Sequence, residues 1–176
     1  MRHSHKHCLV WLLALGACGV EQGDSSTGGG EDIEPMGTCA KYEVPAGTDL
    51  TQPIVSFRSQ VIPIFRAACS NANCHGSAQP SGGVFLGLPD AAMADAAAVH
   101  RDIVGVPSRV LETMPLVTAG DPAKSFLMHK MDGDQCAFDC GENSCGSLMP
   151  EDGSKPLPVL NRDTIRRWIA QGAQDN

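Results

Sequence analysis

Hydrophobic residues fall in separated blocks along the 176-residue chain. The first, Leu9 to Leu15, is unbroken and follows a polar stretch holding Arg2, Lys6 and three histidines. It is too short to cross a bilayer as a helix and has the build of the apolar region of a secretory signal. From Gly19 to about Gly37 the chain is Glu, Gly, Ser, Thr and Asp with almost no apolar residues, the composition of a flexible tether. Beyond it the apolar positions become periodic. Val55, Phe57, Val61, Ile62, Ile64 and Phe65 predict a helix over Ile54 to Cys69, disturbed at Pro63. The alanine-rich stretch Asp90 to Ile103 is helical by propensity. Asp121-Pro122 predicts the start of a third helix, with an N-cap acceptor and proline at the first helical position, running through Ala123 to Met131 and ending at Gly133. Met128 and Met131 on it read as core, and His129 as partly exposed. The fourth helix is Asn161 to Gly172, with Asn161 as its cap, Ile165, Trp168 and Ile169 on one stripe, and Gly172 as its stop.

No segment reads as a strand. The fold class is therefore all-α: a small helical domain with long loops, which need fixing by a cofactor or by disulfides. Three regions follow: a signal over residues 1–17, a tether over 18–37 and a folded domain over 38–176. No internal repeat is evident.

Composition sharpens this picture. Hydrophobic residues make up 42% of the chain but aromatics only 5%, lean for a core of this size. A bound macrocycle would supply the missing apolar volume. The formal net charge is −7. Residues 1–17 contain Arg2 and Lys6 and no acid, so the remainder stands at −9. That sign disfavours nucleic acid and anionic membrane surfaces as partners; it would suit a positively charged redox partner, but an acidic surface that serves only solubility is the preferred reading.

The apolar run ends in Leu15-Gly16-Ala17-Cys18. Small residues before a cysteine at this point resemble the lipobox of bacterial lipoproteins. The resemblance implies that Cys18 is acylated and becomes the mature N-terminus, that Cys8 leaves with the signal, and that the tether holds the domain off a membrane. Gly19 rather than Asp follows Cys18, so no simple inner-membrane retention signal is present, and the anchor is expected on the periplasmic side or in the outer membrane. The expected location is the cell envelope, outside the cytoplasm.

Chemistry concentrates in Cys69-Ser70-Asn71-Ala72-Asn73-Cys74-His75-Gly76. Two cysteines followed at once by histidine signal covalent haem c, in which both thiols add to the haem and the imidazole ligates the iron. The usual spacing between the cysteines is two residues; here it is four. A longer loop can bulge away while both sulfurs keep their places. Further pieces follow in order: Val61-Ile62-Pro63-Ile64-Phe65 before the motif, then Ala119-Gly120-Asp121-Pro122, Cys145-Gly146-Ser147-Leu148-Met149-Pro150, and Ile165 to Ala173. Over roughly residues 54 to 174 the chain resembles a class I cytochrome c domain of the kind carried by secreted bacterial proteins. The resemblance implies one haem c, with Met149 as the distal iron ligand opposite His75 and with the first and last helices crossing beside the haem. Met114, also followed by proline, is the competing distal ligand. A local Cys69–Cys74 disulfide is the competing fate of the thiols.

Cys39, Cys136, Cys140 and Cys145 remain. They allow three pairings. Two disulfides are expected, with Cys39 pinning the N-terminal segment to the loop that precedes Met149. A zinc or iron–sulfur site on these thiols is the rival; their spacing matches no usual zinc pattern, and export favours oxidation. No Ser/His/Asp set, paired carboxylates, phosphate loop or second haem motif is present, so no enzymatic activity is expected. The functional expectation is an exported, lipid-anchored electron carrier. The alternative is a disulfide-stabilised envelope lipoprotein without haem, serving binding or structure.

Overall fold

A computed structural model of the chain describes Cys39 and residues 43–90, 95–142, 144–151 and 156–176. The chain divides into two units, Met1–Met36 and Gly37–Asn176. The expected signal, Cys18 and the tether lie outside the described residues. Among the described residues there are four α-helices and no strand: α1 (Ile62–Ala68), α2 (Ala96–Ile103), α3 (Phe126–Asp132) and α4 (Val159–Ala170). No helix among them is long and apolar enough to cross a membrane.

The first predicted helix forms in two parts. A π-helical turn, Phe57–Val61, runs directly into α1. The N–H of Ile62 bonds to the carbonyl of Phe57, and Pro63 comes next with no N–H to place. The disturbance expected at Pro63 is thus a change of helical pitch just before it, where a missing donor breaks nothing. Val55, Phe57, Val61, Ile62 and Phe65 are buried, and Ile64 packs against the same core.

This segment meets α4 through its largest side chains. Phe57 stacks on Trp168 with ring centroids 4.8 Å apart and planes inclined by 22°. His100 of α2 presents its edge to Phe57 and donates from Nε2 to the carbonyl of Ala173 at 2.7 Å. The residues after α4 bind back to the start of the domain: Asn176 Oδ1 accepts from Phe57 N–H at 2.8 Å, and Gln171 Oε1 accepts from Val55 N–H at 2.8 Å. Ile165, Trp168 and Ile169 are buried together, as their spacing predicts.

The α2 helix begins at Ala96, and residues 91–94 lie outside the described part. Asp95 precedes α2 without capping it. Its carboxylate instead pairs with Arg66 of α1 at 2.8 Å and accepts from Leu88 N–H at 2.9 Å. Two further boundaries, at the starts of α3 and α4, differ from the sequence expectation. Asp121 caps as expected, but caps only a 3-10 turn, Pro122–Lys124, which stops at Ser125. The N–H groups of Phe126 and Leu127 bond to the carbonyls of Pro115 and Leu116, so the first turn of α3 is hooked to the preceding loop and the two helical pieces stay separate. Asn161 does not cap α4. The helix begins two residues earlier, and the carbonyl of Pro158 receives the N–H groups of Asn161 and Arg162.

His129, expected to be partly exposed, is buried. Its Nδ1 lies 2.8 Å from Asp134 Oδ1, and its Nε2 lies 3.0 Å from the carbonyl of Ala123. A polar ring inside the core needs such partners. Met128 and Met131 are core residues as read.

The long loops are braced by two disulfides, Cys39–Cys136 and Cys140–Cys145. Cys39 therefore does pin the N-terminal segment of the domain to the loop before Met149. The zinc or iron–sulfur rival is corrected: these four sulfurs are consumed in pairs. Bridge pairs Val104–Val117 and Pro107–Pro115 close the loop between α2 and α3.

The α3 and α4 helices are joined by charge. Asp132, its side chain buried at the end of α3, accepts from Arg162 Nη1 at 2.7 Å, and its two oxygens accept from Arg166 Nη2 at 2.6 and 2.7 Å. Arg166 also pairs with Asp163. Replacing one member of a buried pair leaves charge of the opposite sign in low dielectric. Asp132→Ala is expected to cost about 3–5 kcal/mol in urea unfolding, against less than about 0.5 kcal/mol for Arg101→Ala on the exposed face of α2.

Candidate functional site

The Cys69–Gly76 segment begins where α1 ends. Cys69 occupies the C-cap, its N–H on the carbonyl of Phe65 at 2.7 Å. Ser70 turns inward, is fully buried, and donates from Oγ to the carbonyl of Leu86 at 2.8 Å. This fastens the first half of the segment to the core. Asn71, Ala72 and Asn73 are exposed. The carbonyl of Asn71 accepts from the N–H of Cys74 at 2.9 Å and of Gly76 at 3.1 Å, while its side chain accepts from Asn73 N–H at 3.0 Å. The four residues between the cysteines are therefore a hydrogen-bonded turn whose tip faces outward, with both cysteines held at its base.

Gly76 is required by close approach. A Cβ there would collide with the carbonyl group of Ser70. The chain folds back so tightly that His75 N–H bonds to the carbonyl of Cys69 at 3.2 Å.

His75 is held at both levels. Its carbonyl accepts from Leu86 N–H at 3.0 Å, and its Nδ1 lies 2.9 Å from the carbonyl of Val84. A carbonyl only accepts, so Nδ1 carries the hydrogen in this bond. In the neutral ring the lone pair then sits on Nε2, the arrangement in which a histidine is ready to bind a metal and has its ring orientation fixed from behind.

Cys69, Cys74, His75 and Met149 all line one cavity of about 290 Å³. Its walls are mainly apolar, formed by Leu86, Leu116, Phe126, Leu127, Met131 and Leu157. Residues 80 positions apart in the chain are thus brought to one enclosure, with two thiols, an imidazole and a thioether on its surface. Cys69 and Cys74 take part in neither disulfide, which corrects the expectation of a local Cys69–Cys74 bridge as the competing arrangement. Met114 packs against the core and is not on the cavity wall. Cys145, one end of a disulfide, does reach the wall, while Cys39, Cys136 and Cys140 do not. His100 and His129 stand outside it.

Sequence reasoning missed three contributors. The Val84 carbonyl has no side-chain signature at all. Arg109 lines the cavity and lies across Gly83, whose missing side chain leaves room for the guanidinium. Lys130 also lines it, from α3. Burial holds the Lys130 ammonium below its ordinary range, with the Glu151 carboxylate acting in the opposite direction. Lys130 and Met131 follow His129 on a helix whose registry already marked one face as core, so a cavity-lining lysine there was legible only as an exception to that face.

The donor set fits a haem iron site by chemistry: imidazole and thioether are established axial ligands, and cysteine sulfurs are the attachment points of haem c. Among the described residues, no group of three or more His, Cys, Asp or Glu side chains is placed to hold a metal ion by itself.

The turn should depend on its glycine far more than on its exposed tip. Gly76→Ala is expected to lose about 2–4 kcal/mol in urea unfolding, because backbone must move to admit the methyl, while Asn73→Ala changes stability by less than about 0.5 kcal/mol. No family model, curated protein or solved structure matches the chain.

Proposed function

We propose that the chain is an extracytoplasmic electron-transfer protein, anchored to the cell envelope by a lipid on Cys18, whose cytochrome c-like domain carries one covalent haem c. The observation that supports this most is the hydrogen bond from His75 Nδ1 to the Val84 carbonyl, on a residue that shares its cavity with Cys69, Cys74 and Met149. A histidine serving only the surface has no need of a fixed tautomer. A histidine that must present Nε2 to a metal does.

In this reading the cofactor, once bound, supplies a one-electron iron couple. Everything else is done by the chain. Cys69 and Cys74 hold the macrocycle through their sulfurs from the base of the turn. His75 offers Nε2 while Val84 keeps the ring from rotating. Met149 offers its thioether, a weak-field donor that favours the reduced metal, so a positive potential follows. The leucine, phenylalanine and methionine walls exclude water. The protein exchanges electrons with protein partners. The acidic balance favours a partner of positive surface charge.

The test is expression in a host competent for cytochrome c maturation. The protein should retain haem through denaturing electrophoresis and show a sharp α-band on reduction. The double variant Cys69→Ala, Cys74→Ala should lose the stain. A colourless but fully folded wild-type protein would instead support the envelope lipoprotein without haem. The second expectation concerns the distal ligand. Met149→Ala should keep the haem attached but shift the midpoint potential downward in a redox titration; an unchanged potential removes Met149 from the ligand set.

A further inference from the structure

The segment carrying Met149 has little apolar anchorage of its own. Gly146 and Ser147 are exposed, and Leu148 and Met149 are only partly buried. Hydrogen bonds from α3 hold it instead. Lys130 Nζ donates to the carbonyl of Cys145 at 3.0 Å and also to that of Ser147. The Lys130 carbonyl accepts from Met149 N–H at 2.8 Å. One residue thus grips the segment twice by its side chain and once by its main chain, the last bond on the residue whose thioether matters.

The loop is shaped for this grip. Gly146 has a left-handed backbone (φ 74°), and a Cβ on it would stand 2.9 Å from Lys130 Nζ, so the ammonium would have to shift to admit a side chain. Gln135 adds a bond from Nε2 to the Gly146 carbonyl at 3.1 Å. The Cys140–Cys145 disulfide fixes the upstream end. An ammonium suits the task because it has three donors and no acceptor, and can bridge two carbonyls at once. Bonds from a charged donor are also about twice as strong as neutral ones.

Resting on the haem reading above, we propose that Lys130 is the positioning residue for Met149: its two side-chain bonds set where the thioether stands on the cavity wall and whether it is available to ligate.

The test uses the full chain as wild type, Lys130→Gln and Lys130→Arg, each prepared with and without haem maturation. In the haem-free preparations, dilute hydrogen peroxide converts exposed methionine to the sulfoxide, and peptide mass spectrometry follows Met149 with Met114 as internal reference. Lys130→Gln should oxidise Met149 about tenfold faster, the factor for losing one charge-assisted hydrogen bond's worth of loop closure. Met114 should not change, and Lys130→Arg should stay within about twofold of wild type, since a guanidinium can again reach two carbonyls. In the loaded preparations, Lys130→Gln should keep its haem but lose the methionine-to-ferric-iron charge-transfer absorption, and Lys130→Arg should retain it.

An unchanged Met149 oxidation rate together with an unchanged charge-transfer absorption in Lys130→Gln overturns the assignment. Should Lys130→Gln unfold the domain, so that Met114 accelerates equally, Gly146→Ala reads the same contact from the loop side and must accelerate Met149 alone; if it does not, the assignment falls. Haem attached with Met149 unaffected sinks the Lys130 role and leaves the haem reading standing. A wild type that takes no haem sinks the haem reading, while the oxidation arm still decides the role of Lys130.

Discussion

A neutral imidazole has one donor and one acceptor, and in His75 the Val84 carbonyl takes the donor. That bond is the constraint on which the chemistry of the site depends, because it decides which nitrogen is left to bind. The bond is itself held in place by main chain. Leu86 N–H returns to the His75 carbonyl, and Val84 N–H is tied to the carbonyl of Ser81 at 3.2 Å. Residues 75 and 84–86 therefore form a short ladder that fixes donor and acceptor relative to each other. Gly76 permits the ladder by letting the chain pass against Ser70, and buried Ser70 anchors the whole turn to the core through Leu86. The site is thus built from backbone hydrogen bonds, with few side chains committed to support.

The rest of the fold brings a second set of residues to the same cavity. The α1 helix delivers Cys69 at its C-cap, and the π-helical turn that leads into α1 packs on α4 through the Phe57–Trp168 stack. The α3 helix contributes Lys130 and Met131 to the wall and is locked to α4 by Asp132 and its two arginines. The segment with Met149 then hangs from α3 and from the Cys140–Cys145 disulfide. Helix contacts place the two halves of the cavity, and hydrogen bonds to loops adjust them.

Much of this was legible in the sequence. The apolar periodicity of residues 55–65 and 165–169 identified the two segments that make the central packing, because burial of one face leaves a 3.6-residue signature. Cys69, Cys74, His75 and Met149 were singled out before their shared cavity was visible, as were the four cysteines that form the two bridges. What the sequence hid was long-range hydrogen bonding. Asp95 and Asn161 have the residue types of caps, yet Asp95 serves Arg66 and Leu88, and Asn161 lies inside the first turn of α4, which has no side-chain cap. His129 is polar on a helix surface pattern, but Asp134 and Ala123 satisfy it inside the core. The Val84 carbonyl could not be read at all, since every residue has one. Local composition encodes which face is buried; it does not encode which distant atom satisfies a donor.

The central claim is that both sulfurs of the stretched motif hold a porphyrin while His75 binds its iron. The most direct measurement is the mass of the tryptic peptide spanning residues 67–101, taken from protein matured in a haem-c-competent host and treated with a thiol alkylating reagent. The peptide should carry one haem and no alkyl group, both cysteines being engaged in thioether bonds. A peptide alkylated at both Cys69 and Cys74, without the porphyrin mass, contradicts the account.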